Sequence, residues 1–236
     1  AARAGAGPDA PQLAPLVDAR GAEGVVLLGA VAARPLHRVL MREDAGRQLE
    51  ATARALARLH ALSAAAAPGL PPRPSSGGPE EWLEILGRGD PILARTYAGV
   101  ARALALCPPP PGAGPLRVLH GDLHDKNVLV RRGRVWLLDL DTLCAGDPAA
   151  DVGNLAGHLI LRALQGGRSA AAAHPQIALL AAAYRAAGGT LCAAGLRAWT
   201  ADTLFRLACL YPFRRRWRHL AEVLLQEISR WSDGAR

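Results

Sequence analysis

The chain has 236 residues, half of them apolar, with a formal charge of +8; this length suits one large domain or two small ones around a substantial core. No uninterrupted run of about 20 apolar residues is present to cross a bilayer as a helix. The opening residues AARAGAGPDAPQ carry neither an apolar signal core nor a Met, so nothing suggests secretion, and the missing Met suggests a start inside a longer parent sequence.

Cys107, Cys144, Cys192 and Cys209 are scattered without a CxxC pair, so reduced thiols and a cytoplasmic location are expected rather than a disulfide scaffold or a zinc site. A pI near 10.3 is compatible with nucleic acid. The arginines, however, are spread through helical segments instead of forming one tail, and Lys126 is the single lysine; no nucleic-acid or membrane partner is expected.

In chain order, residues 1–12 are rich in Ala, Gly and Pro and are expected to be poorly ordered. Leu13–Val17 and Val25–Leu28 flank a turn with Gly21 and Gly24 and predict a strand pair. From Glu43 to Leu62, apolar residues at three- and four-residue steps (Leu49, Ala53, Leu56, Leu59, Leu62) predict a helix, with His60 beside the stripe as a structural histidine. Ser63–Gly78 is a Pro-interrupted loop, Glu80–Leu86 and Ile92–Leu106 read as helices, and Pro108–Pro111 stop the second. Beyond Asp151, helices are predicted over Leu155–Leu164, Gln176–Ala187, Leu196–Leu210 and Arg218–Trp231, separated by Gly166-Gly167 and Gly188-Gly189. Trp199, Phe205, Tyr211, Phe213, Trp217 and Trp231 fall at helical spacing and read as core before pocket lining. The basic run Arg214–Arg218 reads as a solvated face.

The chemistry concentrates in Val118–Asp151, VLHGDLHDKNVLVRRGRVWLLDLDTLCAGDPAAD. Val128-Leu129-Val130 and Val135-Trp136-Leu137-Leu138 around Arg131-Arg132-Gly133-Arg134 predict a β-hairpin. If Val130 faces Val135 or Trp136, the open end of the hairpin brings Asn127 near Asp139, since paired strands lie about 4.8 Å apart. A carboxamide oxygen and a carboxylate at one point suit Mg²⁺, with water and phosphate oxygens completing its shell. Asp122 stays free to face a substrate, as phosphoryl transfer requires.

His120-x-Asp122-x-x-x-x-Asn127, followed by a strand and Asp139, resembles the catalytic loop and metal-binding Asp of the protein-kinase-like superfamily. The variant HGDLHDKN with LLDLD and Gly146-Asp147-Pro148-Ala149-Ala150-Asp151 is similar to its aminoglycoside phosphotransferase and choline kinase-like branch. The resemblance implies an α+β, protein-kinase-like fold. A remnant of the β small lobe and the hinge would occupy residues 1–33, and a mainly helical large lobe with the catalytic loop and acceptor pocket residues 34–236.

It also implies Asp122 as catalytic base, Asn127 and Asp139 as Mg²⁺ ligands, and His120 and Asp151 as structural supports. His124, two residues after the base, and Lys126 are candidate phosphate contacts, with a plain surface position the alternative for Lys126. The donor would be ATP or GTP, and the acceptor a hydroxyl of an aminoglycoside, sugar or amino alcohol. The family pattern places a Gly-rich strand pair and a phosphate-anchoring Lys before the hinge. Too few residues precede Leu13 for these, so the sequence reads as truncated at its N-terminus, and a pseudokinase-like binding module or inactive fragment is the alternative. A further reading takes His120, Asp122, His124 and Asp125 as ligands of a metallohydrolase.

Overall fold

A computed structural model describes residues 9–40, 45–73, 78–109 and 114–232. Its architecture is α+β, with short strands at one end and helices forming the rest. The predicted hairpin is present. β6 (Val128–Arg131) and β7 (Arg134–Leu137) pair antiparallel, with Val130 opposite Val135 and Val128 opposite Leu137. Its turn residues, Arg132 and Gly133, both have positive φ (49° and 78°), the backbone of a two-residue turn that matches strand twist. Val128, Val130, Val135 and Leu137 send their side chains into the main core.

The hairpin gains a strand on each side. β1 (Gln12–Leu13) runs parallel to β7, and β4 (Arg34–Pro35) antiparallel to β6, giving the order β1-β7-β6-β4. The expected pairing of Leu13–Val17 with Val25–Leu28 is displaced: β2 (Leu16–Arg20) pairs with β3 (Val25–Leu28), while Leu13 joins the other sheet. Pro15 explains the break. It lacks an N–H for a ladder, and its carbonyl instead accepts from the Gly29 N–H at 2.7 Å. Every residue of β2 and β3 is exposed. A third pair, unforeseen in the sequence, joins β5 (Arg117–Leu119) to β8 (Cys144–Gly146).

After the short α1 (Leu36–Val39), α2 (Ala45–His60) buries Leu49, Ala53 and Leu56. α3 (Gly78–Gly89) and α4 (Pro91–Ala105) form a pair, and the Asp90 carboxylate caps α4 by accepting from the N–H groups of Ile92 (3.1 Å) and Leu93 (2.9 Å).

The central element is α5 (Ala149–Gln165), buried at every residue from Ala149 to Leu161. It starts six residues before Leu155, where the apolar pattern begins, and carries Asp151 in its first turn, as the turn at Gly146-Asp147-Pro148 predicts; a helix enclosed on all sides has no polar stripe to mark its first turns. α6 (His174–Ala186), α7 (Ala193–Leu210) and α8 (Leu220–Ser232) complete the helical lobe. Close approach of α7 to α5 depends on two glycines. A Cβ at Gly153 would lie 2.5 Å from Trp199 Cβ, and one at Gly157 would lie 2.6 Å from Thr203 Cγ2. No helix among the described residues is long and apolar enough to cross a membrane.

Candidate active site

The loop from His120 to Asn127 joins β5 to β6, and its shape is held by backbone contacts. Gly121 has φ +88°, and a Cβ there would lie 2.0 Å from the Thr142 carbonyl oxygen, so only glycine fits. The Thr142 hydroxyl donates to the His120 carbonyl at 2.9 Å. Beneath the loop, the buried Asp151 carboxylate in the first turn of α5 accepts from the N–H groups of His120 (2.7 Å) and Gly121 (3.0 Å). His60 Nε2 meets it at 3.1 Å, and His60 Nδ1 meets the Tyr184 hydroxyl at 2.8 Å. Burial pushes the Asp151 carboxyl upward, but the hydrogen bond and charge of His60, with the His120 N–H, outweigh it and hold the group below the ordinary carboxylate range.

His120 is itself fully buried, with Nε2 donating to the Leu138 carbonyl at 2.8 Å, one residue before Asp139. On the other strand the Leu138 N–H donates to the Asn127 carbonyl at 2.9 Å. Asn127 and Asp139 therefore share the open end of the hairpin. Asn127 Nδ2 donates to the Asp122 carbonyl at 3.2 Å, which directs Oδ1 away from the loop. Asp139 is exposed and adopts φ +60°, a left-handed backbone that among non-glycine residues is taken mainly by asparagine, aspartate and histidine.

Asp122 is held from the opposite side. Asn154 Nδ2 donates to its Oδ1 at 3.3 Å, and Arg206 Nη1 lies 3.5 Å from the same oxygen. Arg206 Nη2 also donates to Asn154 Oδ1 at 2.6 Å, closing a triangle from α5 and α7 around the carboxylate. His124 Nε2 stands 3.9 Å from Asp122 Oδ2. Burial lowers the pKa of this imidazole, with Asp122 and Asp125 pulling the other way. Its Nδ1 accepts the Lys126 N–H at 3.3 Å, leaving Nε2 as the protonated nitrogen of the neutral ring. The Lys126 side chain is exposed.

Beside Asp122 opens a pocket of about 390 Å³, walled by Arg73, Trp82, Asp141, Asp202 and Arg206 among others. The family model of the phosphotransferase enzyme family, APH, matches residues 1–199. The chain belongs to that family.

Solved phosphotransferases share the protein-kinase-like fold. A choline/ethanolamine kinase family protein from Mesorhizobium loti is 19% identical with a TM-score of 0.60, over 94% of this chain and 77% of its own. The macrolide 2'-phosphotransferase MphH from Brachybacterium faecium is 19% identical with a TM-score of 0.54, over 91% of this chain and 73% of its own. A glucosamine kinase in complex with glucosamine, ADP and inorganic phosphate is 18% identical with a TM-score of 0.59, over 86% of this chain and 59% of its own. No curated protein sequence matches the chain.

In this phosphotransferase, Asp122, Asn127, His120, His124 and Asp151 gather around one loop, with Asp139 at the hairpin end. The metallohydrolase reading fails on geometry: His120 is turned onto Leu138, and the buried Asp125 is committed to Arg162 (Nη2 to Oδ1, 3.2 Å). No group of three or more His, Cys, Asp or Glu side chains among the described residues is arranged to hold a metal ion.

Sequence reasoning missed Arg73, Trp82, Asn154, Asp202 and Arg206. One signal for the last two was legible: Asp202 and Arg206 stand four residues apart, opposite charges on one face of α7. Of the six aromatics weighed for the pocket, Phe205 is fully buried in the core and none lines this cavity. Trp231 borders a separate cavity of about 210 Å³, and the exposed Arg216 stacks on Trp217 at 4.6 Å.

Proposed function

We propose that this phosphotransferase moves the γ-phosphoryl group of ATP or GTP to a hydroxyl of a small molecule such as an aminoglycoside, sugar or amino alcohol. The observation that carries the reading is the position of Asp122, whose carboxylate lines the pocket on one side and lies in the loop leading to the hairpin end on the other. The acceptor hydroxyl enters the pocket, Asp122 takes its proton, the oxygen forms a bond to the γ-phosphorus, and the bond to the leaving diphosphate oxygen breaks. Asn154 and Arg206 keep Asp122 aimed and its charge stabilised.

Asn127 Oδ1 and the Asp139 carboxylate are hard oxygen donors that suit Mg²⁺. Bound there, the metal supplies neutralisation of the phosphate charge. His124, presenting an N–H, and the exposed Lys126 are the phosphate contacts of this scheme. His120 and Asp151 act as its scaffold. In this reading residues 1–33 belong to the nucleotide lobe, and residues 34–236 to the lobe bearing the loop and pocket. A similar fold solved with ADP and inorganic phosphate supports a nucleoside triphosphate donor.

The test supplies γ-labelled ATP or GTP, Mg²⁺ and a panel of hydroxylated acceptors, and follows label transfer. Transfer by the wild type that falls at least a hundredfold in Asp122→Asn supports the reading. Transfer unaffected by that substitution, or label released only to water at a rate independent of acceptor, overturns it.

A further inference from the structure

Among the described residues that line the pocket beside Asp122, one cation and one half-buried anion have no charged partner. Arg206 is not one of them, because its guanidinium already engages Asp122 and Asn154 and lies over Trp82 at 5.8 Å. Arg73 differs. Its backbone is clamped beside β8, with its N–H donating to the Ala145 carbonyl at 2.7 Å. Its guanidinium lies over Trp199 at 4.6 Å and, among the described residues, donates to the Gly121 carbonyl at 3.4 Å. No carboxylate among the described residues pairs with it, and its Nε is a buried donor without an acceptor. A planar cation stacked on an indole and fixed at its backbone presents its outer N–H groups in a set orientation, which suits a carboxylate or phosphate.

Asp202 is the counterpart. It lines the same pocket from α7 and makes no hydrogen bond or ion pair among the described residues. Burial pushes its carboxyl upward, and the charges of Arg206 and Arg73 offset this only in part. A half-buried carboxylate without a partner gains from a cation brought within contact. Asp141, the other carboxylate on the rim, is exposed and already solvated.

Taking the proposed phosphotransferase reading as its basis, we infer that the acceptor is amphoteric, with an ammonium group set against Asp202 and an acidic group against Arg73 while its hydroxyl faces Asp122. Arg73 and Asp202 are specificity-determining residues in this arrangement. A polycationic acceptor satisfies Asp202 but sets a positive charge against Arg73; a purely anionic one does the reverse.

Calorimetry on the full chain with three matched sets tests the inference. Serine, homoserine and 6-hydroxynorleucine are each compared with the amino alcohol lacking the carboxylate and the hydroxy acid lacking the amine. In at least one set the amphoteric member binds tenfold or more tighter than either counterpart. Arg73→Gln removes the advantage over the amino alcohol while keeping that over the hydroxy acid, and Asp202→Asn does the opposite. Equal affinities within every set, or no binding by any amphoteric member, overturn the inference. A chain that binds Mg²⁺ and ATP yet shows no such preference remains a phosphotransferase with another acceptor, whereas failure to bind nucleotide counts against the function itself.

Discussion

Changing Asp151 to Asn keeps the size of the side chain but removes a charge that accepts three hydrogen bonds, two of them from the backbone that shapes the loop. The carboxamide nitrogen would face N–H donors inside the protein. The expected cost is about 3–5 kcal/mol, the range for breaking one side of a buried charged network, and denaturant unfolding measures it. The pH dependence has a fixed sign. The Asp151 carboxyl in the folded chain lies below its ordinary value, so its contribution is full above about pH 4 and is lost as pH falls through the folded pKa. The stability gap between wild type and Asp151→Asn should narrow as the pH drops below about 4. A gap that stays constant into acid would show that the charge is not what stabilises the loop. Asp122 gives the opposite contrast. Its side chain is 39% exposed, so Asp122→Asn should leave the unfolding midpoint nearly unchanged while lowering phosphoryl transfer by about 10²–10⁴-fold.

Between elements, the contact of α5 with α7 sets where Asp202 and Arg206 stand relative to Asp122. Gly153→Ala places a methyl carbon 2.5 Å from Trp199 Cβ and 2.9 Å from the Trp199 carbonyl carbon, neither of which is the end of a flexible chain. Over-packing of this kind costs about 1–3 kcal/mol. Since α7 must move to relieve it, kcat/KM should fall along with stability. Gly99, in the middle of α4, has nothing within 4 Å of the position an added methyl would take, and Gly99→Ala should stabilise by about 0.5–1 kcal/mol without changing activity. Equal effects at the two positions would contradict the packing argument. The same elements separate what the sequence made legible from what it hid. The β6–β7 hairpin was readable because a turn with glycine divides two apolar runs. In α5 an apolar pattern was readable only over Leu155–Leu164, while the Gly146-Asp147-Pro148 turn marked the helix start ahead of Asp151. β1, β5 and β8 span two or three residues each, too few to show a period. Arg73, Asn154 and Arg206 reach one pocket from a loop and two helices far apart in sequence, and no local spacing records that convergence.

Across the whole molecule, order should be graded from the buried α5 to the exposed β2–β3 pair. Helix α5 is enclosed along its first 13 residues, Ala149–Leu161, whereas all nine residues of β2 and β3 are exposed. Amides of α5 should therefore exchange only on global unfolding, and those of β2–β3 through far smaller openings; hydrogen exchange read by mass spectrometry distinguishes the two, and similar protection in both would contradict the described core. The central claim, a metal-dependent nucleotide site at the hairpin end, is tested most directly by calorimetric titration of ATP and GTP with and without Mg²⁺, using Asp139→Ala as control. The account predicts binding by the wild type that requires Mg²⁺ and weakens at least tenfold in Asp139→Ala. Binding indifferent to both the metal and Asp139, or no binding of either nucleotide, would contradict it.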